Sequence, residues 1–159
     1  MKFKELAELF EKLGSTSKRL EKILLLRDFY LSNEPETVAL VFDMMTGTYQ
    51  KEIDKKSIGI SLKTIFAVIS FLSKKEQSVI EKEFNKKGDV GIVATTFLSG
   101  SKQKSLTSSN LKLEDINSTL DKISATKGAN SNMIKRELLT KLFLSATDSL
   151  EQKFLARLS

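Results

Sequence analysis

Apolar residues recur along this chain three or four positions apart, and this helical spacing limits the fold more than any other feature. Glycine, proline or small polar residues interrupt the spacing roughly every 12 to 18 residues, as expected where helices end. No run alternates between apolar and polar residues, as a half-buried strand would. The sequence therefore predicts a compact all-α fold of about nine helices.

Several local patterns predict where helices begin and end. We expect Gly14 to end the first helix, and Ser73 with Glu76 to form a capping box for the fifth. Ser131 should cap the eighth helix, and a box from Asp148 to Glu151 should open the last one. The second helix is expected to turn one apolar side inwards, formed by Leu20, Ile23, Leu24 and Leu31.

Residues 86–94 combine a helix end with a helix start. Gly88 can take the left-handed conformation that ends a helix, and the two lysines before it suit a helix C-terminus. Asp89 is a good N-cap for the next helix. Two helices are therefore predicted to meet at a corner beside two lysines. The residues alone leave open whether this corner is a solvated turn or faces phosphate groups.

The polar stretch 99–110 divides the predicted helices into two loosely similar halves, about 1–98 and 111–159, within one domain. Its composition favours a flexible surface loop of net charge +2. No apolar run reaches the ~20 residues of a membrane span. The charged and apolar residues that alternate at the N-terminus do not resemble a signal peptide. We therefore expect an intracellular protein without a membrane role.

The composition argues against an enzyme and for an anionic partner. The 159 residues include no cysteine and no histidine, which excludes thiol chemistry, histidine general bases and the usual zinc ligands. The formal net charge of +6 suits a polyanion, although lysines also serve solubility. Two further turns have suitable residues for phosphate. Ser17 and Arg19 lie at a helix start, and small residues at 127–132 allow close approach of the backbone. Either turn can also be an ordinary helix cap.

The octet Lys-Gly-Asp-Val-Gly-Ile-Val-Ala at residues 87–94 resembles a signature of the N-terminal DNA-binding domain of archaeal and eukaryotic-type ATP-dependent DNA ligases. The resemblance extends over nearly the whole chain. Where the family has two lysines in the helix after the small-residue turn, this chain has Ile134 in one of the places. The resemblance implies DNA contacts at or beside Ser17, Lys18, Arg19, Gly59, Ser61, Lys63, Lys87, Gly88, Gly128, Ala129, Asn130, Ser131, Asn132, Lys135 and Arg136.

The resemblance also implies a function. Such a domain docks across the minor groove around a nick in duplex DNA, without sequence specificity, during DNA replication, repair or recombination. It has no cofactor of its own, because ATP and Mg²⁺ belong to the catalytic domains that carry the Lys-x-Asp-Gly motif, and that motif does not occur here. The chain is thus expected to be non-catalytic, either a piece of a ligase or a freestanding protein, with catalytic domains as partners in cis or in trans. The alternative is an all-α protein-interaction module with a basic surface and no DNA role.

Overall fold

The computed structural model describes residues 1–46, 60–99, 111–146 and 148–158. These residues form nine α-helices and no strand, so the predicted all-α fold is confirmed. None of the helices within these ranges is long and apolar enough to cross a lipid bilayer. Gly59 and nearly all of the predicted loop 99–110 lie outside the described residues. The helices are α1 (Phe3–Ser15), α2 (Arg19–Ser32), α3 (Pro35–Thr46), α4 (Leu62–Ser73), α5 (Gln77–Lys87), α6 (Val90–Leu98), α7 (Leu113–Ala125), α8 (Ser131–Ser145) and α9 (Ser149–Leu158).

Helices from before and after residues 100–110 pack around one hydrophobic core. The α4 helix packs against α5, α6 and α8, while α9 packs against α1 and α6. The apolar stripe of α7 is completely buried, as its spacing predicts, and comprises Leu113, Ile116, Leu120 and Ile123. The fold therefore places the starts of α4 and α8, which are distant in the sequence, on one side of a shared core.

The packing of α6 on α9 is close enough to require a glycine. A Cβ atom added at Gly91 would lie 2.6 Å from the main-chain oxygen of Lys153 and 2.9 Å from Nε of Arg157. Gly91 is buried, so no solvent space is available to relieve such a contact. The glycine inside the octet thus allows the backbone of α6 to approach α9.

Two predicted helix boundaries in the first half of the chain are wrong. The α1 helix continues through Gly14 and ends one residue later. Ser73 is the last residue of α4, where Lys74 takes the left-handed conformation with φ of 56°, so Ser73 cannot begin the next helix. Glu76 instead occupies the N-cap of α5, without a capping bond from its side chain. In both places a helix includes a residue that was expected to lie outside it: α1 includes Gly14, and α4 includes Ser73.

The predictions for the last two helices had mixed outcomes. Ser131 is the first residue of α8 rather than its cap, because Asn130 occupies the N-cap. The capping box of α9 is confirmed. The Asp148 N–H donates to Oε2 of Glu151 at 3.2 Å, and Oδ1 of Asp148 accepts from the Leu150 N–H at 2.7 Å.

The predicted apolar side of α2 is wrong. Its members are exposed, with Leu20 at 75%, Leu31 at 73%, Ile23 at 48% and Leu24 at 46%. The core receives Phe29 from this helix instead, at 9% exposure. Because apolar residues lie on nearly all sides of α2, their spacing does not indicate which side faces the core.

Candidate nucleic-acid interface

An open groove of about 470 Å³ lies between the first turns of α4 and α8. Four of the residues implied as DNA contacts meet there, although they come from two segments far apart in the chain. The groove is lined by Ser61, Lys63, Thr64, Ala67, Gln77, Asn132, Met133 and Arg136. We call this feature the α4–α8 groove.

The α4 side of the groove begins at a capped helix start. Ser61 is the N-cap of α4, and its Oγ accepts a hydrogen bond from the Thr64 N–H at 3.2 Å. The hydroxyl groups of Ser61 and Thr64 also share a hydrogen bond of 3.0 Å. Lys63 lies exposed in this first turn. The cap therefore fixes the helix start from which the lysine reaches into the groove.

The α8 side begins at the small-residue turn. Gly128 has a φ of +102°, a conformation that other residues adopt only with strain, and its carbonyl accepts from the Ser131 N–H at 3.1 Å. Ala129 and Asn130 complete the turn, and both are exposed. The turn thus leads directly into the first turn of α8, whose next residues line the groove.

The groove has a positive electrostatic character. Asn132 and Arg136 lie one helical turn apart, so both reach it from the same face of α8. Lys63 adds a second cation, and none of the described residues that line the groove is acidic. Free N–H groups and the dipoles of two helix starts reinforce this potential. The arrangement is chemically suited to phosphate groups. Lys135 lies half-buried beside Arg136 on α8.

The turn between α1 and α2 is bonded to an acidic residue in the first turn of α2 that the phosphate prediction did not include. Oγ1 of Thr16 accepts from the Lys18 N–H at 3.2 Å and donates to Oε2 of Glu21 at 2.5 Å. Nζ of Lys18 lies 2.7 Å from Oε1 of Glu21. Hydrogen bonds from Lys18 and from Thr16 lower the pKa of Glu21. Ser17 and Arg19 remain exposed, so Arg19 is the cation of this turn whose charge Glu21 does not pair.

The corner between α5 and α6 has the predicted geometry. Gly88 takes the left-handed conformation with φ of +68°, and its N–H donates to the Phe84 carbonyl at 2.7 Å. Oδ1 of Asp89 accepts from the Ile92 N–H at 2.9 Å and so caps α6. Lys87 is exposed in the last turn of α5. The ring of Phe84, one turn before the corner, packs on α4 through Phe66 at a centroid distance of 5.2 Å.

The corner also carries an ion pair that local sequence patterns do not indicate. Nη2 of Arg157 lies 2.7 Å from Oδ2 of Asp89, and its Nε donates to Oδ1 at 3.2 Å. The two residues are 68 positions apart, so only the folded structure reveals the pair. Partial burial acts to raise the pKa of Asp89, but the hydrogen bonds from Arg157 and Ile92 outweigh it and leave the pKa below its usual value. The corner is thus tied to the end of α9.

The implied contacts occupy three parts of the described chain rather than one. The α4–α8 groove and its leading turn hold most of them. The turn at 17–19 belongs to the connection between α1 and α2, and the main packing of α1 is against α9. Sequence reasoning missed four groove residues: Thr64, Ala67, Gln77 and Met133. Only tertiary packing brings Gln77, which begins α5, to this groove.

The fold and the groove together define an all-α domain with a basic cleft between two helix starts. Comparison with known proteins identifies the family to which this domain belongs. The family described as DNA ligase N terminus matches residues 2–159. The chain therefore belongs to the DNA ligase N-terminal family, and the resemblance recognised from its octet is confirmed.

Archaeal proteins named DNA ligase are similar to this chain over its whole length. The protein of Methanocaldococcus jannaschii is 29% identical over 166 residues, which cover 99% of this chain and 28% of the relative. That of Methanococcus maripaludis strain C7 is 31% identical over 162 residues, with the same coverage of each chain. DNA ligase 2 of Korarchaeum cryptofilum is 27% identical, with 99% of this chain and 26% of the relative covered. The chain thus spans little more than a quarter of these relatives.

Proposed function

We propose that this chain is the DNA-binding domain of an ATP-dependent DNA ligase, that it docks on duplex DNA around a nick, and that it carries out no chemistry itself. The family match and the relatives named DNA ligase support this proposal. The α4–α8 groove is the single structural observation that carries it. There the fold brings Lys63 and Arg136 together between two helix starts, in a groove without an acidic residue among its described lining.

The groove suggests how the domain holds DNA. Lys63 and Arg136 reach it from different helices, so each can neutralise a phosphate of the same backbone. The turn from Gly128 to Ser131 has no large side chain, which lets its main chain approach the minor groove closely. Contacts to phosphates and sugars carry no base information, so binding is independent of sequence.

Other cations extend the contact in this proposal. Arg19 at the start of α2, Lys87 at the corner and Lys135 on α8 add to the two groove residues. Together they bring about five phosphates into contact, which corresponds to a slope of log affinity against log salt near −4 to −5.

The chemistry of ligation belongs to the rest of the enzyme in this proposal. The lysine that accepts AMP, the ATP site and the Mg²⁺ site lie in catalytic domains, which join this domain in cis or in trans. A protein that acts on chromosomal nicks works inside the cell, in the cytoplasm and nucleoid or in a nucleus.

Fluorescence anisotropy with a labelled nicked duplex tests the proposal. Affinity should fall with the slope given above between about 50 and 200 mM salt, and a nicked duplex of scrambled sequence should bind equally well. An intact duplex of the same length measures the preference for the nick. Affinity that does not change with salt, or no binding to any duplex, would refute the DNA-binding function.

The alternative is a protein-interaction module, and the exposed side chains of α2 favour it. Leu20 and Leu31 are 75% and 73% exposed, and apolar surface of this kind occurs at protein interfaces. A variant that combines Arg19→Glu with Lys135→Glu distinguishes the two functions. DNA binding should be abolished if the domain holds phosphates through these residues. If the domain binds only proteins, the variant should still bind its protein partner, and the unmodified domain should not bind duplex DNA.

A further inference from the structure

An exposed methionine lies among the polar and charged residues of the α4–α8 groove. Met133 is 61% exposed and lines the groove together with Ala67. It does not contribute to the core, which receives Leu139, Leu142 and Phe143 from α8. Packing of the domain therefore gives no reason for an apolar side chain at this position.

The lining of the groove matches the chemistry of one sugar–phosphate unit. A nucleic-acid backbone alternates charged phosphates with sugars whose C–H groups are apolar. Lys63 and Arg136 suit the phosphate, whereas the thioether of Met133 and the methyl group of Ala67 suit the sugar.

Several polar groups of the groove already have partners inside the protein. The hydroxyls of Ser61 and Thr64 bond each other at 3.0 Å. Nε2 of Gln77 donates to Oε1 of Glu81 at 2.8 Å. A sugar hydroxyl placed directly against the thioether of Met133 and the methyl group of Ala67 would lose water without gaining a strong hydrogen bond from either side chain. Such a loss is costly for a hydroxyl group.

We propose that Met133 packs against a deoxyribose and makes the groove selective for DNA over RNA at that nucleotide. This inference rests on the DNA-binding function proposed above. The 2′-hydroxyl is the group that distinguishes the two sugars, and an apolar contact excludes it without any base being read. Met133 is thus a specificity-determining residue for the sugar of the bound strand.

A series of nicked DNA duplexes, each with one ribonucleotide at a different position near the nick, tests the inference. A single ribonucleotide keeps the duplex close to B-form geometry. The measured affinities are therefore not affected by the change in helix shape that a full RNA–DNA hybrid would bring. We expect one or two positions at which the ribonucleotide weakens binding of the unmodified protein about tenfold. Met133→Gln offers an amide to the hydroxyl and should reduce this penalty to less than about twofold.

Two variants control for other effects. Phe71→Gln removes an apolar side chain of similar exposure, 66%, from the last turns of α4, outside the groove lining, and should keep the tenfold penalty. Met133→Leu keeps an apolar contact and should also retain the penalty. If all-DNA duplexes bind but no ribonucleotide position matters, or Met133→Gln keeps the penalty, the inference is wrong while the DNA-binding function stands. If no duplex binds the unmodified protein, the proposed function itself fails.

Discussion

At the level of single residues, Asp89 joins two elements through one carboxylate. It caps α6 by accepting from the Ile92 N–H, and it pairs with Arg157 at the end of α9. Both side chains of the pair are about one-third exposed, at 30% and 35%, so water weakens the attraction without removing it. The corner that the family octet forms is therefore held by a local cap and by a distant cation.

Replacing Asp89 by asparagine should lower the free energy of unfolding at neutral pH by about 1 kcal/mol, because asparagine keeps the cap but loses the charge. The pKa of Asp89 is lowered by folding, so its stabilisation is full above its usual value of 3.8 and disappears as the pH falls through the folded value. Urea unfolding between pH 7 and pH 2 should show the two proteins converging in acid. A difference that stays constant over this range would contradict the assignment.

Glu21 is an acidic group within the predicted phosphate site at the start of α2. It pairs with Lys18 and lies in the first turn of α2, which begins at Arg19. Glu21→Gln should therefore strengthen duplex binding about two- to threefold at about 50 mM salt, where charges are least screened. Asp28→Asn, which removes an equivalent exposed partner from Arg27, should leave affinity unchanged in the same anisotropy assay. Equal effects of both variants would show that only net charge matters.

At the level of elements, two glycines in helices have opposite surroundings. A methyl group at Gly91 would meet the main chain of Lys153 at 2.6 Å, whereas one at Gly14 would have nothing within 4 Å. Gly91→Ala should thus destabilise the domain by about 1–3 kcal/mol as α9 moves outwards. Gly14→Ala should stabilise it by about 0.5–1 kcal/mol, because alanine favours a helix. Urea unfolding of both variants checks this. Equal stability of the two would show that α6 and α9 are not closely packed.

The elements also show how far the sequence determines the fold. The stripe of α7 and the corner at Gly88 were predictable, because each depends on residues close together in the chain. The orientation of α2 was not predictable, since its own apolar residues lie on nearly all of its sides. Phe29 is buried because of how the neighbouring helices pack against α2. The ion pair between Asp89 and Arg157 was not predictable either, because nothing in the octet specifies a cation 68 positions away in the sequence.

The same argument applies to the candidate site. Family resemblance indicated Ser61, Lys63, Asn132 and Arg136 as separate members of two turns, and the structure places them in one groove. It could not indicate Gln77 or Met133, because their place in the groove depends on how α4, α5 and α8 pack. The resemblance thus predicted which residues contact DNA, whereas tertiary packing determines which of them lie together in one groove.

At the level of the whole molecule, the groove exists only when both parts of the chain are folded together. Its α4 side comes from residues before 100 and its α8 side from residues after 110. The net charge of +6 attracts any polyanion from a distance, so affinity alone does not show which surface binds. To locate the contact, positive charge must be removed from the groove, and the effect on DNA binding must be compared with that of removing equal charge elsewhere.

The most direct test is the salt dependence of binding to a nicked duplex for two double variants. Lys63→Gln with Arg136→Gln removes the groove cations, and Arg27→Gln with Lys82→Gln removes one arginine and one lysine that do not line the groove. Unfolding curves should first confirm that both variants are folded. The groove variant should have a slope of log affinity against log salt that is shallower by roughly 2, since each lost phosphate contact contributes about 0.9, while the control keeps the original slope. Identical slopes for the two variants would contradict the assignment of the groove as the DNA contact.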